Sequence, residues 1–166
     1  MNELFTAYAA DVFAFALRRS SPSAAEDVVS ETFLVAWRRL DAVPDIPKPW
    51  LLAVARRVLA NQRRSSERQS AVRARLGASD PDTWGRADVE RSDDAAVLDA
   101  LAELAPADRD AITLVAWDGL TAEEAAIVLG CSRATFYVRL HRAKKRLGAA
   151  LDITNQPNHA QEVDQP

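Results

Sequence analysis

Residues 121–147 read TAEEAAIVLGCSRATFYVRLHRAKKRL, and this stretch decides how the C-terminal half of the chain folds. Thr121 and Glu124 form a capping box, in which a hydroxyl and a carboxylate satisfy backbone N–H groups at the start of a helix. Gly130 suits the left-handed backbone conformation that ends a short helix, and Ser132 can cap the next one. The stretch therefore predicts two helices joined by a tight glycine turn.

The second of these helices has an apolar side and a basic side. The apolar residues share one helical stripe along residues 133–147, and they are Phe136, Leu140, Ala143 and Leu147. The cations occupy the same segment without an intervening acid, and they are Arg133, Arg139, Arg142, Lys144, Lys145 and Arg146.

The N-terminal end of this helix carries Arg133, Tyr137 and Val138. Arginine can pair bidentately with guanine, and valine can contact a thymine methyl group, so these residues suit the major groove of DNA. The pattern is typical of a helix-turn-helix motif. A glycine-linked helix pair also occurs in plain helical bundles, but the basic cluster favours DNA binding.

The amino-acid composition limits the fold class, the cofactors and the cellular location of the chain. The chain has 166 residues, 48% apolar and 27% charged, with a net charge of −3, which is typical of one ordinary globular domain or two small ones. Aromatic residues reach only 7% and good helix formers dominate, which predicts an all-α fold. One cysteine and two histidines argue against a disulfide framework or a zinc cluster, and we expect no metal or other cofactor. The absence of a signal-like N terminus and of a long apolar stretch predicts a cytoplasmic protein without membrane insertion.

Three helices are predicted in the N-terminal half. The first covers residues 3–19, where the positions at helical spacing are Leu4, Phe5, Tyr8, Val12, Phe15 and Arg19. The second begins at a capping box of Ser23 and Glu26 and runs to about Leu40. Its apolar stripe consists of Val29, Phe33, Ala36, Trp37 and Leu40. Prolines interrupt residues 42–49, and the third helix covers residues 50–64.

The remaining segments complete a two-domain organisation. Two small helical domains, 1–66 and 95–151, are predicted on either side of a polar, flexible linker at 67–94 that holds at most a short helix near 67–76. Helical periodicity returns after residue 95, a new helix starts at Pro106, and Gly119 ends it. Residues 152–166 are expected to form a disordered tail.

A second basic cluster lies in the N-terminal domain and comprises Arg56, Arg57, Arg63 and Arg64. One such cluster can be a solvated helix face, but two clusters on separate amphipathic helices favour contact with a nucleic acid. The acids elsewhere make the total charge negative and repel DNA, so the chain alone is predicted to bind DNA weakly.

Both halves resemble one protein family. The segment LTAEEAAIVLG at 120–130, continuing through RLHRA at 139–143, resembles region four of the extracytoplasmic-function (ECF) sigma factors of bacterial RNA polymerase. The segment AEDVV at 25–29, with ETF at 31–33 and AW at 36–37, and then PWLLAVAR at 49–56, resembles region two of the same family. The two resemblances occur in the order that the family expects.

The resemblance implies a promoter-specificity subunit without catalytic activity of its own. It implies that the second helix docks on the clamp of the largest polymerase subunit through Asp27, Ser30, Glu31 and Trp37, and that the polymerase flap is a further contact. Contacts to the minus-ten promoter element are implied for Lys48, Arg56, Arg57, Asn61, Arg63 and Arg64. Contacts to the minus-35 element are implied for Ser132, Arg133, Thr135, Tyr137, Val138, Arg139, Arg142 and Lys145. The family resemblance also suggests an anti-sigma partner.

The apolar pattern favours Trp37 and Trp50 as core residues over base-stacking platforms.

Two other functions stay open at the level of the sequence. A polymerase-independent helix-turn-helix regulator is the alternative function, and it predicts tight DNA binding by the chain alone. A helical adaptor whose basic faces bind acidic proteins is the third reading.

Overall fold

The computed structural model describes residues 2–74 and 93–154 of the chain. Within these ranges the regular structure is entirely helical, which confirms the predicted all-α fold. Most of the expected linker and nearly all of the expected tail lie outside the described residues.

Seven α-helices and one short 3-10 helix are described in those two ranges. The N-terminal half contains α1 (Asn2–Leu17), α2 (Pro22–Arg38), a 3-10 turn (Leu40–Ala42) and α3 (Pro47–Ala74). The C-terminal half contains α4 (Asp93–Glu103), α5 (Pro106–Ala116), α6 (Ala122–Leu129) and α7 (Arg133–Thr154).

The start of α2 differs from the prediction. The cap is Ser21 and not Ser23, and its hydroxyl accepts a hydrogen bond from the Ala24 amide at 3.4 Å. Pro22 occupies the first helical turn, where its fixed φ suits a helix and its missing N–H costs nothing. The expected capping box of Ser23 and Glu26 is therefore wrong.

Trp37, near the end of α2, is exposed and not buried. The buried face of the helix consists of Ala25, Val28, Val29, Thr32, Phe33 and Ala36. Trp37 is 61% exposed, so the expectation that it belongs to the core is wrong, whereas Trp50 is half-buried against the core as expected. Trp37 lies about 100° around the helix from Ala36, which takes it off the buried face. Leu40 is exposed because α2 ends at Arg38 and the chain turns.

The third helix is longer than predicted at both ends. It begins at Pro47, because proline is tolerated in the first turn, and Lys48 is therefore a helical residue and not a loop residue. It continues to Ala74, past the expected start of the linker. The continuation agrees with the content of residues 65–74, where helix formers occur without glycine or proline.

One continuous core joins the two halves. Phe15 of α1 and Leu51 of α3 belong to the same buried cluster as Leu114 of α5, Leu129 of α6 and Phe136 of α7. Helix α3 packs directly on α6. Each fully buried large apolar side chain contributes about 1.5–3 kcal/mol relative to its exposed state, so this packing holds the two halves against each other. The sequence had predicted two domains and a tether but not this contact.

The predicted stripe on α7 is confirmed. Phe136 and Ala143 are fully buried, while Leu140 and Leu147 are half-buried against the core. A smaller cluster of Leu101, Leu104, Ile112 and Ala143 packs α4 and α5 on the same helix. The opposite side of α7 is left for its polar residues.

Candidate nucleic-acid interface

The turn between α6 and α7 has the geometry that its sequence predicts. The Thr121 hydroxyl accepts a hydrogen bond from the Glu124 amide at 3.2 Å, and the Glu124 carboxylate accepts one from the Thr121 amide at 2.8 Å. Gly130 adopts a φ of 65°, in the left-handed region. The Cys131 amide donates to the Ala126 carbonyl at 3.0 Å, closing the turn. The predicted capping box and glycine turn are therefore confirmed.

The next cap fixes the start of α7. The Ser132 hydroxyl accepts a hydrogen bond from the Thr135 amide at 3.1 Å, and the two hydroxyl oxygens lie 2.8 Å apart. Both side chains are exposed at the helix N-terminus. Unpaired backbone N–H groups and the helix dipole make such an end favourable for an anion such as a DNA phosphate.

The first turns of α7 present three exposed side chains to solvent. Arg133, Tyr137 and Val138 are all exposed, as a base-reading position requires. The Arg133 guanidinium lies over the Tyr137 ring, 5.5 Å from its centroid, and the Arg133 Nε is 2.8 Å from a Glu123 carboxylate oxygen. Both members of this ion pair are exposed, and such pairs contribute only about 0–1 kcal/mol, so DNA can displace Glu123 at little cost.

The basic residues further along α7 differ in their surroundings. Arg142, Lys144 and Lys145 are exposed, and Arg139 is half-buried. Arg146 instead donates to the buried carboxylate of Asp108 on α5. The predicted cationic face of α7 is therefore present, but Arg146 also ties the helix to α5.

The residues expected at the minus-ten element fall into two groups on α3. Arg57, Asn61, Arg63 and Arg64 are exposed, and the Asn61 side-chain oxygen accepts from Arg64 at 2.6 Å. Lys48 and Arg56 are only partly exposed, because each faces a carboxylate from another helix. The Lys48 ammonium lies 3.2 Å from Asp11 of α1, and the Arg56 Nε lies 3.5 Å from Asp110 of α5.

The residues expected to contact the polymerase form one exposed face of α2. Asp27, Ser30 and Glu31 are exposed one turn apart, and Trp37 lies further along the helix. Leu34 is 41% exposed and lies between Glu31 and Trp37 on this face, and it was not among the residues expected there. Leu34 follows Asp27 by seven residues, and this spacing places both on the same face of a helix, so the sequence pattern could have identified it. The face is acidic at one end and apolar at the other.

A polar cluster between the two halves was missed by sequence reasoning. We call it the interdomain clasp, and it consists of Arg18 and Arg19, just after α1, with Asp110 in α5 and Asp118 just after α5. The signal was Arg19 itself, a charged residue at the end of an apolar helical stripe. A buried charge requires a partner, so an acid from elsewhere in the chain was to be expected.

Arg19 is the centre of the interdomain clasp, with a side chain only 11% exposed. Its Nε donates to Asp110 at 3.1 Å, and its two terminal nitrogens donate to the Phe15 carbonyl and the Thr113 hydroxyl, each at 3.0 Å. Its guanidinium lies over the Phe15 ring, 3.8 Å from the centroid. Burial lowers the pKa of Arg19, and attraction to Asp110 and Asp118 partly offsets that effect.

Asp118 is the buried acid of the interdomain clasp. Its side chain is 2% exposed and accepts a hydrogen bond from Arg18, while its second oxygen lies 3.7 Å from Arg19. Burial raises the pKa of the Asp118 carboxyl, against the opposing attraction of Arg19 and Arg18. The carboxylate therefore stays in a poorly solvated site because two arginines face it.

The described parts of the chain contain neither a metal-binding cluster nor a membrane-spanning helix. No group of three or more His, Cys, Asp or Glu side chains there is arranged to hold a metal ion. None of the helices described is both long and apolar enough to cross a membrane.

Comparison with known proteins places these faces in a family context. Residues 4–69 match Sigma-70 region 2, and residues 94–147 match Sigma-70, region 4. The chain is 32% identical to the ECF RNA polymerase sigma factor SigL of Mycobacterium tuberculosis, over 91% of this chain and 88% of SigL. It is 33% identical to SigC of the same species, another ECF RNA polymerase sigma factor, over 82% of this chain and 75% of SigC.

A solved structure shows the same fold. The sigma factor RpoE from Bartonella quintana, in complex with the anti-sigma factor NepR, superimposes with a TM-score of 0.69 at 27% identity, covering 92% of this chain and 96% of that chain. Two region matches in the family's order, a relative matched over most of its length and a matching fold agree with each other. The chain therefore belongs to the extracytoplasmic-function sigma factors, the sigma-70-type subunits of bacterial RNA polymerase.

Proposed function

We propose that this chain binds core RNA polymerase through α2 and directs it to promoters through α3 and α7, so that the polymerase supplies the catalysis and the chain supplies the sequence preference. The observation that carries the proposal is the pair of exposed cationic helix faces, on α3 and on α7, each within a segment that matches a sigma region. Two such faces suit two contacts on one DNA molecule.

The minus-35 contact is assigned to the N-terminal half of α7. Arg133 and Val138 would meet base edges, with Tyr137 beside them, while Ser132 and Thr135 would bind a phosphate at the helix N-terminus. Other cations further along the helix would hold the DNA backbone, and they are Arg139, Arg142 and Lys145.

The minus-ten contact is assigned to α3. Opening a duplex requires cations that hold the separated backbone and a polar group that captures an unstacked base. Arg57, Arg63 and Arg64 suit the first task, and Asn61 suits the second because its amide can both donate and accept. Lys48 and Arg56 would join them once their intramolecular acids are displaced.

The polymerase contact is assigned to the exposed face of α2. Asp27, Ser30 and Glu31 provide the polar contacts and Trp37 provides an aromatic anchor of the kind that dominates protein interfaces. The contact surface on the enzyme would be the clamp of its largest subunit, with the flap contacting the C-terminal domain. This assigns residues 1–66 and 95–151 to the two domains, and it places the protein in the cytoplasm with the polymerase.

An anti-sigma factor is a further proposed partner. RpoE of Bartonella quintana was solved in complex with the anti-sigma factor NepR, and CnrH, which aligns with a TM-score of 0.59 at 26% identity, was solved with the cytosolic domain of CnrY. An inhibitor that covers α2 would prevent the proposed polymerase contact, and one that covers the cationic helices would prevent the proposed promoter contacts.

In vitro transcription tests the proposal directly. Core polymerase from a bacterium is incubated with genomic DNA fragments, with and without this chain, and the transcript ends are mapped. We expect a set of start sites that depend on the chain and share two upstream elements. Identical start sites with and without the chain, at saturating concentrations, would contradict the proposal. Family membership does not favour a polymerase-independent regulator.

A further inference from the structure

An acidic side chain, Glu123, lies beside the proposed base-reading residue of α7. It occupies the first turn of α6, and its carboxylate oxygen is 2.8 Å from the Arg133 Nε. The first turn of a helix favours an acid, but Glu124 already provides the carboxylate of the capping box there. An exposed acid within a surface proposed to bind DNA repels the phosphates that approach it. Glu123 therefore weakens DNA binding in general, unless its contact with Arg133 has a role of its own.

Two contacts restrict the Arg133 side chain. The Glu123 carboxylate faces its Nε, and the Tyr137 ring, one helical turn further along α7, lies 5.5 Å from the carbon of its guanidinium. The left-handed Gly130 and the Ser132 cap fix the backbone of α7 relative to α6. An arginine with its planar group against an aromatic ring and a carboxylate at one edge has fewer orientations than an exposed arginine without neighbours.

The contact with Glu123 leaves the other edge of the guanidinium open. Within residues 2–74 and 93–154, neither terminal nitrogen of Arg133 has a hydrogen-bond or ion-pair partner. These two nitrogens can form a pair of parallel hydrogen bonds while the Nε stays with Glu123. Guanine presents the matching acceptors, O6 and N7, in the major groove. DNA can displace Glu123 at little cost, but pairing with guanine through the terminal nitrogens does not require it to leave.

The charge of Glu123 separates two kinds of DNA contact that Arg133 could make. A phosphate paired with Arg133 would bring a full negative charge close to the Glu123 carboxylate, and the two would repel each other. The edge of a guanine is neutral and meets no such repulsion. Specificity can come from a group that repels the wrong ligand as well as from one that attracts the right ligand. Glu123 thus disfavours the contact that carries no sequence information and permits the contact that does.

We propose that Glu123 is a positioning residue of the minus-35 surface, which holds the Arg133 Nε and repels phosphates, so that Arg133 selects a guanine and does not bind the DNA backbone. The inference rests on the promoter recognition proposed above, and it identifies guanine as the preferred base at one minus-35 position. Glu123 acts through Arg133 and makes no base contact of its own.

The test is competitive binding of promoter fragments to core polymerase assembled with the full chain. The fragments differ by single bases in the minus-35 element, and the position that Arg133 contacts is the one at which Arg133→Ala removes the base preference. Glu123→Gln keeps the length of the side chain but removes its charge, and Glu123→Ala also removes the acceptor. Glu103→Gln, at an exposed position of α4, is the control for the change in net charge.

We expect the wild type to prefer guanine at this position and both Glu123 variants to lose about fivefold of that preference, which corresponds to the upper range for an exposed ion pair. The loss should come mainly from tighter binding of the other bases, because the repulsion of phosphate is gone. Glu103→Gln should keep the wild-type preference. In an Arg133→Ala background, Glu123→Gln should leave the base preference unchanged. The preference is a ratio of two affinities from one preparation, so partial unfolding of a variant does not alter it.

Three results would overturn the inference. They are an unchanged guanine preference in both Glu123 variants, a wild-type preference for another base at the Arg133 position, and an effect of Glu123→Gln on base preference that persists without Arg133. Chain-dependent transcription from the same promoters would, in each of these cases, leave the proposed sigma function intact. Absence of chain-dependent transcription with the wild type would contradict the proposed function, and this inference with it.

Discussion

At the scale of residues, the same chemical group has different roles in different surroundings. Arg133 is exposed and pairs with exposed Glu123, so its ion pair is weak and leaves the guanidinium available to DNA. Arg19 is buried, pairs with Asp110 and stacks on Phe15, so its guanidinium holds α1 to α5 and is not available to DNA. Local charge runs identify the first kind of arginine. The second kind depends on partners about ninety positions away, as the separation of Arg19 and Asp110 shows.

The base-reading role proposed for Arg133 predicts a sequence-dependent effect. Arg133→Ala should weaken binding of the assembled enzyme by about 1–3 kcal/mol for promoters with the preferred base at one minus-35 position, and much less for promoters that lack it. Lys145→Ala removes a cation expected to contact a phosphate, and it should lower the affinity for all promoters by a similar factor. Affinity measured across a set of promoters with single-base changes checks both variants. A uniform effect of Arg133→Ala would contradict the assignment.

The buried carboxyl of Asp118 predicts a pH dependence of stability. Because its pKa in the folded chain is raised above the ordinary 3.8, the folded state keeps a proton that the unfolded state has already lost. The contribution of this group to the free energy of unfolding is therefore largest below pH 3.8 and declines as the pH rises through the raised pKa. The free energy of unfolding of the wild type minus that of Asp118→Asn should fall over this range.

Urea denaturation at a series of pH values measures that difference. Asp41→Asn removes an exposed carboxylate and should give a much smaller change across the same range. A difference between wild type and Asp118→Asn that rises with pH would show that attraction to Arg18 and Arg19 outweighs the burial of this carboxyl.

At the scale of elements, helix boundaries were predicted correctly where a single capping group was available. The Thr121 box, the left-handed Gly130 and the Ser132 cap are local signals without competitors, and the structure confirms all three. At α2, Ser21 and Ser23 both offered a hydroxyl, and the suitability of Pro22 for the first turn decided for Ser21. At α3, the prolines favoured a later start than the helix has. The errors therefore lie where two local rules point to different residues.

Replacement by alanine should change the stability of the chain in opposite directions at Gly130, in the turn before α7, and at Gly148, inside α7. Gly130 has a φ of 65° with open space around an added Cβ, so Gly130→Ala should cost about 1–2 kcal/mol through backbone strain alone. Gly148 lies inside α7, also with open space, so Gly148→Ala should stabilise the chain by about 0.5–1 kcal/mol. Urea denaturation measures both. Destabilisation by both variants to the same extent would contradict the assigned backbone conformations.

The exposed face of α2 predicts a loss of polymerase binding without a loss of stability. Because Trp37 is 61% exposed, Trp37→Ala should leave the free energy of unfolding nearly unchanged. As an interface anchor it should cost about 2 kcal/mol or more in affinity for core polymerase. Arg38→Ala, at the neighbouring exposed position, is the control. A fluorescence binding titration with core polymerase checks both variants, and equal affinities would place the docking surface elsewhere.

At the scale of the whole molecule, the two domains and their helical content follow from sequence patterns, but their contact does not. Apolar periodicity specifies which face of each helix is buried, and it leaves open whether α3 meets α6 or only its own domain. The buried cluster that includes Phe15 and Phe136 comes from residues more than a hundred positions apart. Contacts of that kind carry no local signal, apart from a charged residue such as Arg19 on an apolar stripe.

Binding of a mapped promoter fragment by the chain alone, by core polymerase alone and by the two together tests the central claim most directly. At physiological salt we expect specific binding only with both proteins present, and transcript ends that follow the two upstream elements. Tight and specific binding by the chain alone, unchanged by core polymerase, would contradict the account and would identify a DNA-binding regulator that acts without the enzyme.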